Sequence, residues 1–331
     1  MSRRFYINSN GRIRRKENTI YFEAESEEGQ IKKPIPINDI DSIFVFGEID
    51  INTKVINFLA SYDVPIHFFN YYGYYSGSFL PRKKNISGSL VVEQVKHYID
   101  DGKRQYLAIS FIEGAIHHMI RNLRKNNIPK EVFEDIETSL FPSIYNTKTV
   151  EELMAIEGNI RERYYGFYNY IVKNEAFKME KREKRPPSNP INAMISFGNS
   201  LMYSVILTEI HRTQLDPTIS YLHSPMEKRF SLSLDIAEIF KPFIIDPLMF
   251  GLINSKTITL EDFEQSLEYA YLSESGRKKF IKAFEERLSK TIKHRKLQRN
   301  VSYKQLIRLE CYKLIKHLIG DEDYKPFKAW W

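Results

Sequence analysis

The stretch Val64–Asn126, VPIHFFNYYGYYSGSFLPRKKNISGSLVVEQVKHYIDDGKRQYLAISFIEGAIHHMIRNLRKN, decides the fold, because the spacing of its apolar residues changes midway. Up to Leu80 the chain reads as short runs of β-branched and aromatic residues separated by Gly, Asn and Pro, the pattern of strands and turns. From Ser89 onward apolar residues recur at three and four, the period of an amphipathic helix. Between the two lies PRKKNISGS (81–89), basic and rich in turn formers, which reads as a linker. The aromatic cluster FFNYYGYYSGSF is expected to be strand and turn packing and not a base-stacking platform.

Towards the N-terminus, RRFYINS, TIYFEAE and DSIFVFG read as further strands, and INTKVINFLASYD as one short helix among them. The expectation is a small N-terminal β-sandwich or folded sheet over residues 1–86. Towards the C-terminus helical patterns recur at 128–141, 148–174, 189–212, 224–240, 260–270 and 274–317. They predict a larger all-α domain over 87–331, within an α+β multidomain chain. A second break, FKMEKREKRPPSNP (177–190), cannot continue a helix through Pro-Pro and reads as an exposed basic loop, either touching nucleic acid or merely solvated.

At 331 residues two domains are the default, and 42% hydrophobic residues are ample for packed cores. A formal charge of +7 favours a polyanionic partner. The single cysteine, Cys311, excludes an intramolecular disulfide framework and Cys-rich zinc sites. No apolar run is expected to reach the length of a membrane span, and MSRRFYINSNGRIRRKEN lacks the apolar segment of a signal peptide, so a cytoplasmic protein is expected.

The chemistry-bearing residues concentrate in 189–246. Asp235 and Glu238, three apart, share a face of a helix otherwise built for burial, and His223 in the Pro-bounded turn YLHSP can reach that face. Upstream, Glu157 sits in AIEGNIRERYYGF among apolar neighbours. Carboxylates plus one imidazole suit a hard or borderline divalent cation such as Mg²⁺ or Mn²⁺, and in a basic chain such a site suggests metal-assisted chemistry on phosphodiesters. Plainer readings exist for each residue. Glu157 can pair with Arg161 four residues on, Glu238 with Lys241, and His223 can be a turn residue. The i,i+4 pairs Glu93/His97 and Glu113/His117 have no third ligand nearby and read as hydrogen-bonding pairs. There is no Walker A loop, GxGxxG or nucleophile elbow, hence no nucleotide-cofactor signature.

Together, IPINDIDSIFVFGEIDINTKVINFLASYDVPIHFFNYYGYYSGSFLP, AIEGNIRERYY, NPINAMISFGNSLM and LDPTISYLHSPMEKRFSLSLDIAEIFKPFIID resemble the CRISPR-associated endonuclease/integrase family of spacer acquisition, the first-numbered Cas protein, over nearly the whole chain. The resemblance implies that Glu157, His223 and Glu238 hold a Mg²⁺ or Mn²⁺ ion, with Asp235 beside the site as ligand or supporting acid. It implies a homodimer assembled with the second-numbered Cas adaptation protein, acting on prespacer duplex and CRISPR repeat DNA by 3′-hydroxyl transesterification. Tyr164 and Tyr165 fall where that family places aromatics near the DNA end, and Asn192, where it often has an asparagine in the active-site helix, is counted with them as a DNA-contact candidate. With Arg161 they join the basic candidates for phosphate contact: Arg82, Lys83 and Lys84 in the linker, Arg182, Lys184 and Arg185 in the loop, and Lys293 and Arg295 in KTIKHRKLQR. Departures at Asn199, Gln214 and Lys241 remove no ligand. The competing expectations are a metal-dependent structure-specific repair nuclease and a non-catalytic nucleic-acid-binding scaffold. The tail DEDYKPFKAWW is left open between docking on the protein, on a partner, or on nothing.

Overall fold

The computed structural model describes residues 3–26, 29–183, 186–225, 230–265 and 269–331. The chain divides into two compact units, Met1–Asn85 and Ile86–Trp331.

The first unit runs β1 (Arg3–Ile7), β2 (Gly11–Lys16), β3 (Thr19–Ser26), β4 (Gly29–Pro36), β5 (Ile40–Val45), β6 (Ile49–Ile51), α1 (Thr53–Ser61), β7 (Ile66–Phe69) and β8 (Tyr75–Phe79). One four-stranded sheet has the order β1-β5-β7-β8, with β1, β5 and β7 parallel. The other has the order β4-β3-β2-β6, an antiparallel meander to which β6 adds in parallel. A single core draws on both. Ile7, Ile43, Val45 and Ile66 come from the first sheet, Ile13, Ile20, Phe22 and Ile35 from the second, and Val55, Phe58 and Leu59 from α1. Burying each such side chain contributes roughly 1.5–3 kcal/mol. Helix α1 starts where the Asn52 side chain accepts the Val55 N–H. Strands β2, β4 and β6 were not expected. In GRIRRK consecutive charges fall on both faces, Arg15 lying over the Phe58 ring at 3.9 Å, and in GQIKKPIP the Lys-Lys-Pro run breaks the alternation, so neither shows the period of a half-buried strand.

The second unit runs α2 (Gly88–Ile99), α3 (Asp101–Lys125), α4 (Lys130–Asp135), α5 (Phe141–Ser143), α6 (Val150–Gly166), α7 (Tyr168–Ile171), α8 (Pro190–His211), α9 (Ser231–Phe240), α10 (Asp246–Asn254), β9 (Phe263–Gln265), β10 (Ala270–Leu272), α11 (Glu274–Ser289), β11 (Thr291–Lys293), β12 (Asn300–Ser302) and α12 (Tyr303–Leu318). It is therefore not all-α. The stretch expected to be helical at 260–270 contains the paired strands β9 and β10, and the pattern over 274–317 is cut by the β11–β12 hairpin. The long pattern from Ser89 also breaks, at Asp100, which ends α2 and accepts the Lys103 N–H to start α3.

Helix α8 is buried on nearly every side and packs against α9, α10, α12 and β10. By length and composition it is apolar enough to cross a membrane, contrary to the expectation from sequence, but 89% of that window is buried inside this fold. Gly198 permits the close approach, since a Cβ there would come within 2.7 Å of Ile245 Cγ2. After α9 the backbone widens into a π turn at Lys241–Ile245. Pro242 offers no N–H to the Glu238 carbonyl four residues back, so the regular ladder cannot continue there.

Candidate active site

Helix α6 supplies Glu157, helix α9 supplies Asp235 and Glu238, and the loop before α9 supplies His223. The loop is held from both sides. Gln94 of α2 accepts the Asp216 N–H at 2.7 Å and donates to the Asp216 carbonyl at 3.1 Å, and Arg104 of α3 donates to the Tyr221 carbonyl at 3.0 Å. On the α9 side the loop folds over Asp235, which is fully buried. Asp235 Oδ2 accepts the N–H groups of Tyr221 and Leu222 at 2.7 and 3.1 Å, and Oδ1 accepts the His223 N–H at 2.9 Å. The remaining contact is His223 Nδ1 to Oδ1 at 2.8 Å. With the carboxylate already accepting three backbone N–H groups, this imidazole nitrogen donates and Nε2 carries the lone pair.

Glu157 and Glu238 meet through one cation. Arg161, four residues after Glu157, donates through Nε to Glu157 Oε1 and through Nη2 to Glu238 Oε2 at 2.5 Å. Lys241 donates to Glu238 Oε1 at 2.7 Å. Burial pushes the Glu238 carboxyl up, but Lys241, Arg161 and His223 together outweigh it and bring it down to about 2. Burial likewise disfavours the Arg161 charge, and Glu157 and Glu238 override it, holding the guanidinium protonated. Among the described residues no group of three or more His, Cys, Asp or Glu side chains converges as a metal cluster. The pairings expected as plainer readings, Glu157–Arg161 and Glu238–Lys241, are the contacts present.

Behind α6 the structure corrects two expected DNA contacts. Tyr164 is buried, donating to Asp246 Oδ2 at 2.9 Å and accepting from Asn122 at 2.8 Å, so it is a core residue and not a surface aromatic. Asn192 is fully buried as well. Its Oδ1 accepts from Arg182 at 3.0 Å and from the Glu183 N–H at 3.2 Å, and its Nδ2 donates to the Lys181 carbonyl at 2.9 Å, clamping the 181–183 segment onto α8. Arg182 is spent on the same clamp, with Ser196 Oγ at 3.0 Å. Tyr165 and Lys83 are half-buried, while Arg82, Lys84, Lys293 and Arg295 are exposed. Arg295 lies over the Trp330 ring at 5.1 Å. Lys184 and Arg185 lie outside the described residues. Of the i,i+4 pairs, Glu93/His97 makes the expected local bond, His97 Nδ1 to the Glu93 carbonyl at 2.9 Å, whereas Glu113 accepts from Tyr145 and Lys328 at 2.7 and 2.8 Å and His117 Nε2 lies 3.1 Å from the Ala329 carbonyl, both partners far along the chain. Gln94 and Arg104, which hold a loop over 100 residues away, and Asn122, which bonds the Tyr164 hydroxyl and the Pro242 carbonyl, were missed, because nothing local in sequence marks such polar side chains.

Comparison with known proteins shows the family. The family model described as CRISPR associated protein Cas1 matches residues 5–286. The chain is 58% identical to a "CRISPR-associated endonuclease Cas1 3" of Thermodesulfovibrio yellowstonii, over 99% of this chain and 100% of the relative. A solved Cas1 protein from Thermotoga maritima superposes with a TM-score of 0.89 at 40% identity, covering 97% of this chain and 99% of that one. A chain of a solved Cas6-RT-Cas1–Cas2 complex shares the fold at 16% identity, with a TM-score of 0.84 over 100% of this chain and 36% of that one. The protein is thus an α+β nuclease-family chain with N-terminal strands followed by a helical region. It belongs to the Cas1 family.

Proposed function

We propose that the helical unit carries a metal-dependent phosphodiester-transfer centre with which this Cas1-family endonuclease inserts prespacer DNA into a CRISPR repeat array, a prespacer 3′-hydroxyl attacking the repeat phosphodiester. The observation that carries this reading is the convergence of Glu157 and Glu238, from separate helices, on one cation, Arg161. A place between two carboxylates that holds a guanidinium is a cation's place, and His223 Nε2 adds a nitrogen donor from the α9 side. Two carboxylates and an imidazole fit Mg²⁺ or Mn²⁺, so Glu157, Glu238 and His223 are the residues that would hold it. An ion held there would supply Lewis-acid polarisation of a phosphoryl oxygen and would favour ionisation of the attacking hydroxyl.

The remaining residues have roles of their own. Asp235 fixes the His223 tautomer and ring. Arg161 and Lys241 neutralise the carboxylates. Exposed Arg82, Lys84, Lys293 and Arg295 are phosphate contacts that carry no sequence information. The expected assembly is a homodimer built on the N-terminal unit as a β-sandwich, joined by the Cas2-type partner that a fold-sharing complex contains, in the cytoplasm.

One observation favours a competing reading. Because the acids are ion-paired, they could be structural supports of a DNA-binding scaffold, which predicts that Glu157→Ala and Glu238→Ala leave activity intact. The deciding experiment incubates protein, with and without Cas2, with a short 3′-hydroxyl duplex and supercoiled repeat plasmid. Joined product that needs divalent metal and vanishes in His223→Ala establishes the integrase. Cleavage without joining, Cas2 present, points to a hydrolytic nuclease; an unaffected His223→Ala removes the site.

A further inference from the structure

The segment 324–331 runs back across the end of the helix that carries Glu238. It is anchored on α12, where buried Glu310 accepts the Tyr324 hydroxyl at 2.7 Å and the Phe327 N–H at 2.9 Å through one oxygen. Lys313 adds a bond to the Lys325 carbonyl at 2.7 Å. From this anchor the Phe327 ring stacks on Phe240, centroids 5.8 Å apart and planes 9° from parallel, and meets Phe243 edge-on at 5.0 Å. Trp331 reaches Phe243 at 6.0 Å. Phe240 and Phe243 flank Lys241 and Pro242, where the helix ladder is interrupted and the Glu238 carbonyl loses its usual donor. The last turn of α9 therefore depends on holders outside itself.

His118 of α3 is such a holder, and the tail holds it in turn. It is buried, its Nε2 accepts the Ala329 N–H at 3.1 Å, and its Nδ1 lies 3.1 Å from the Ile239 carbonyl. An accepting Nε2 leaves the ring proton on Nδ1, which donates to Ile239, the residue next to Glu238. The three elements touch at Gly114, where a Cβ would come within 3.0 Å of Pro326 Cβ and 3.1 Å of Ile239 Cγ1.

We infer that residues 324–331 form a strap that positions Glu238, acting through His118 on the Ile239 carbonyl and through Phe327 on the Phe240–Phe243 pair. This rests on the reading of Glu238 as a metal-binding carboxylate. His118 and Phe327 touch no reacting group, so both are positioning residues.

The test measures Mn²⁺ affinity of the full-length protein by electron paramagnetic resonance, with folding followed by circular dichroism. His118→Asn places an amide N–H where Nδ1 stood and keeps the bond to Ile239. His118→Gln places its amide where Nε2 stood and loses that bond. Glu238→Ala serves as the control. The strap predicts that His118→Gln, which loses the Ile239 bond, His118→Asn, which loses the Ala329 bond, and Phe327→Ala each bind Mn²⁺ about tenfold more weakly while folded. Wild-type affinity in His118→Asn, which cuts only the tail from the ring, or in both His118→Gln and Phe327→Ala, overturns the strap while Glu238-dependent binding survives. Equal affinity in wild type and Glu238→Ala overturns the metal reading, and the strap with it.

Discussion

Asp235 grips His223 twice through a single oxygen: Oδ1 accepts both the His223 backbone N–H, at 2.9 Å, and the ring nitrogen Nδ1, at 2.8 Å. The carboxylate so occupied is a support for the imidazole and has no oxygen left over for an ion. Asp235→Asn keeps the shape but turns one acceptor into a donor facing donors. Mn²⁺ affinity should fall about 10- to 100-fold with the fold retained. A calorimetric titration that finds wild-type affinity would make Asp235 dispensable.

Removing the shared cation should reveal how much the carboxylates need one. Arg161→Met leaves Glu157 beside a buried Glu238 with Lys241 alone, a broken buried ion pair that costs about 3–5 kcal/mol. Added Mn²⁺ should then raise the melting temperature of the variant more than that of wild type. Equal shifts in differential scanning calorimetry would show that Arg161 and the ion do not share a place.

Asp246 gives stability a pH dependence of known sign. Burial raises its carboxyl to about 6, with Tyr164 opposing. A raised folded-state value means its stabilising contribution is complete below the unfolded value near 4 and is lost as pH rises through 6. Between pH 4 and 7 wild type should lose about 2–3 kcal/mol relative to Asp246→Asn, by urea unfolding. Parallel stability curves would contradict the assignment.

Gln94 pairs with both backbone groups of Asp216, so Gln94→Ala leaves a half-buried N–H without that partner and costs about 1 kcal/mol. Because that loop carries His223, strand-joining should suffer more than DNA binding. A variant that loses both equally would argue for general unfolding.

The double charge reversal Lys293→Glu and Arg295→Glu should flatten the dependence of DNA affinity on salt, by about one unit of slope for each phosphate no longer neutralised. An unchanged slope would take the β11–β12 hairpin out of the interface.

What the sequence shows of this protein follows from where physical signals are local. DSIFVFG and VPIHFFN read as strands because a buried strand is apolar throughout, and α8 reads as a helix for the matching reason. The strands β9 to β12 are three residues long each, too short to show any period, and they vanished into helical patterns. At the candidate site, Glu238 and Asp235 stood out in sequence because they are acids planted in a helix built for burial, whereas Glu157 and His223 were singled out by their neighbours and by the resemblance. Tyr164 and Asn192 were expected at the DNA only because the family resemblance carried them there, and nothing local in sequence marks them as buried. Only the partners Asp246 and Arg182 reveal that these hydrogen-bonding capacities are consumed internally.

Helix α8 carries a consequence for how the protein is made. It leaves the ribosome as a 22-residue apolar helix, and its covering helix α12 follows about a hundred residues later. At ordinary synthesis rates that interval lasts roughly 5–20 s. During it the nascent chain displays what a targeting or quality-control factor would read as a membrane segment. The apolar helix that later braces α9, α10 and α12 is therefore, for those seconds, the chain's greatest exposure to misrouting and aggregation, and its yield in a cell should depend on chaperone supply more than its final stability suggests.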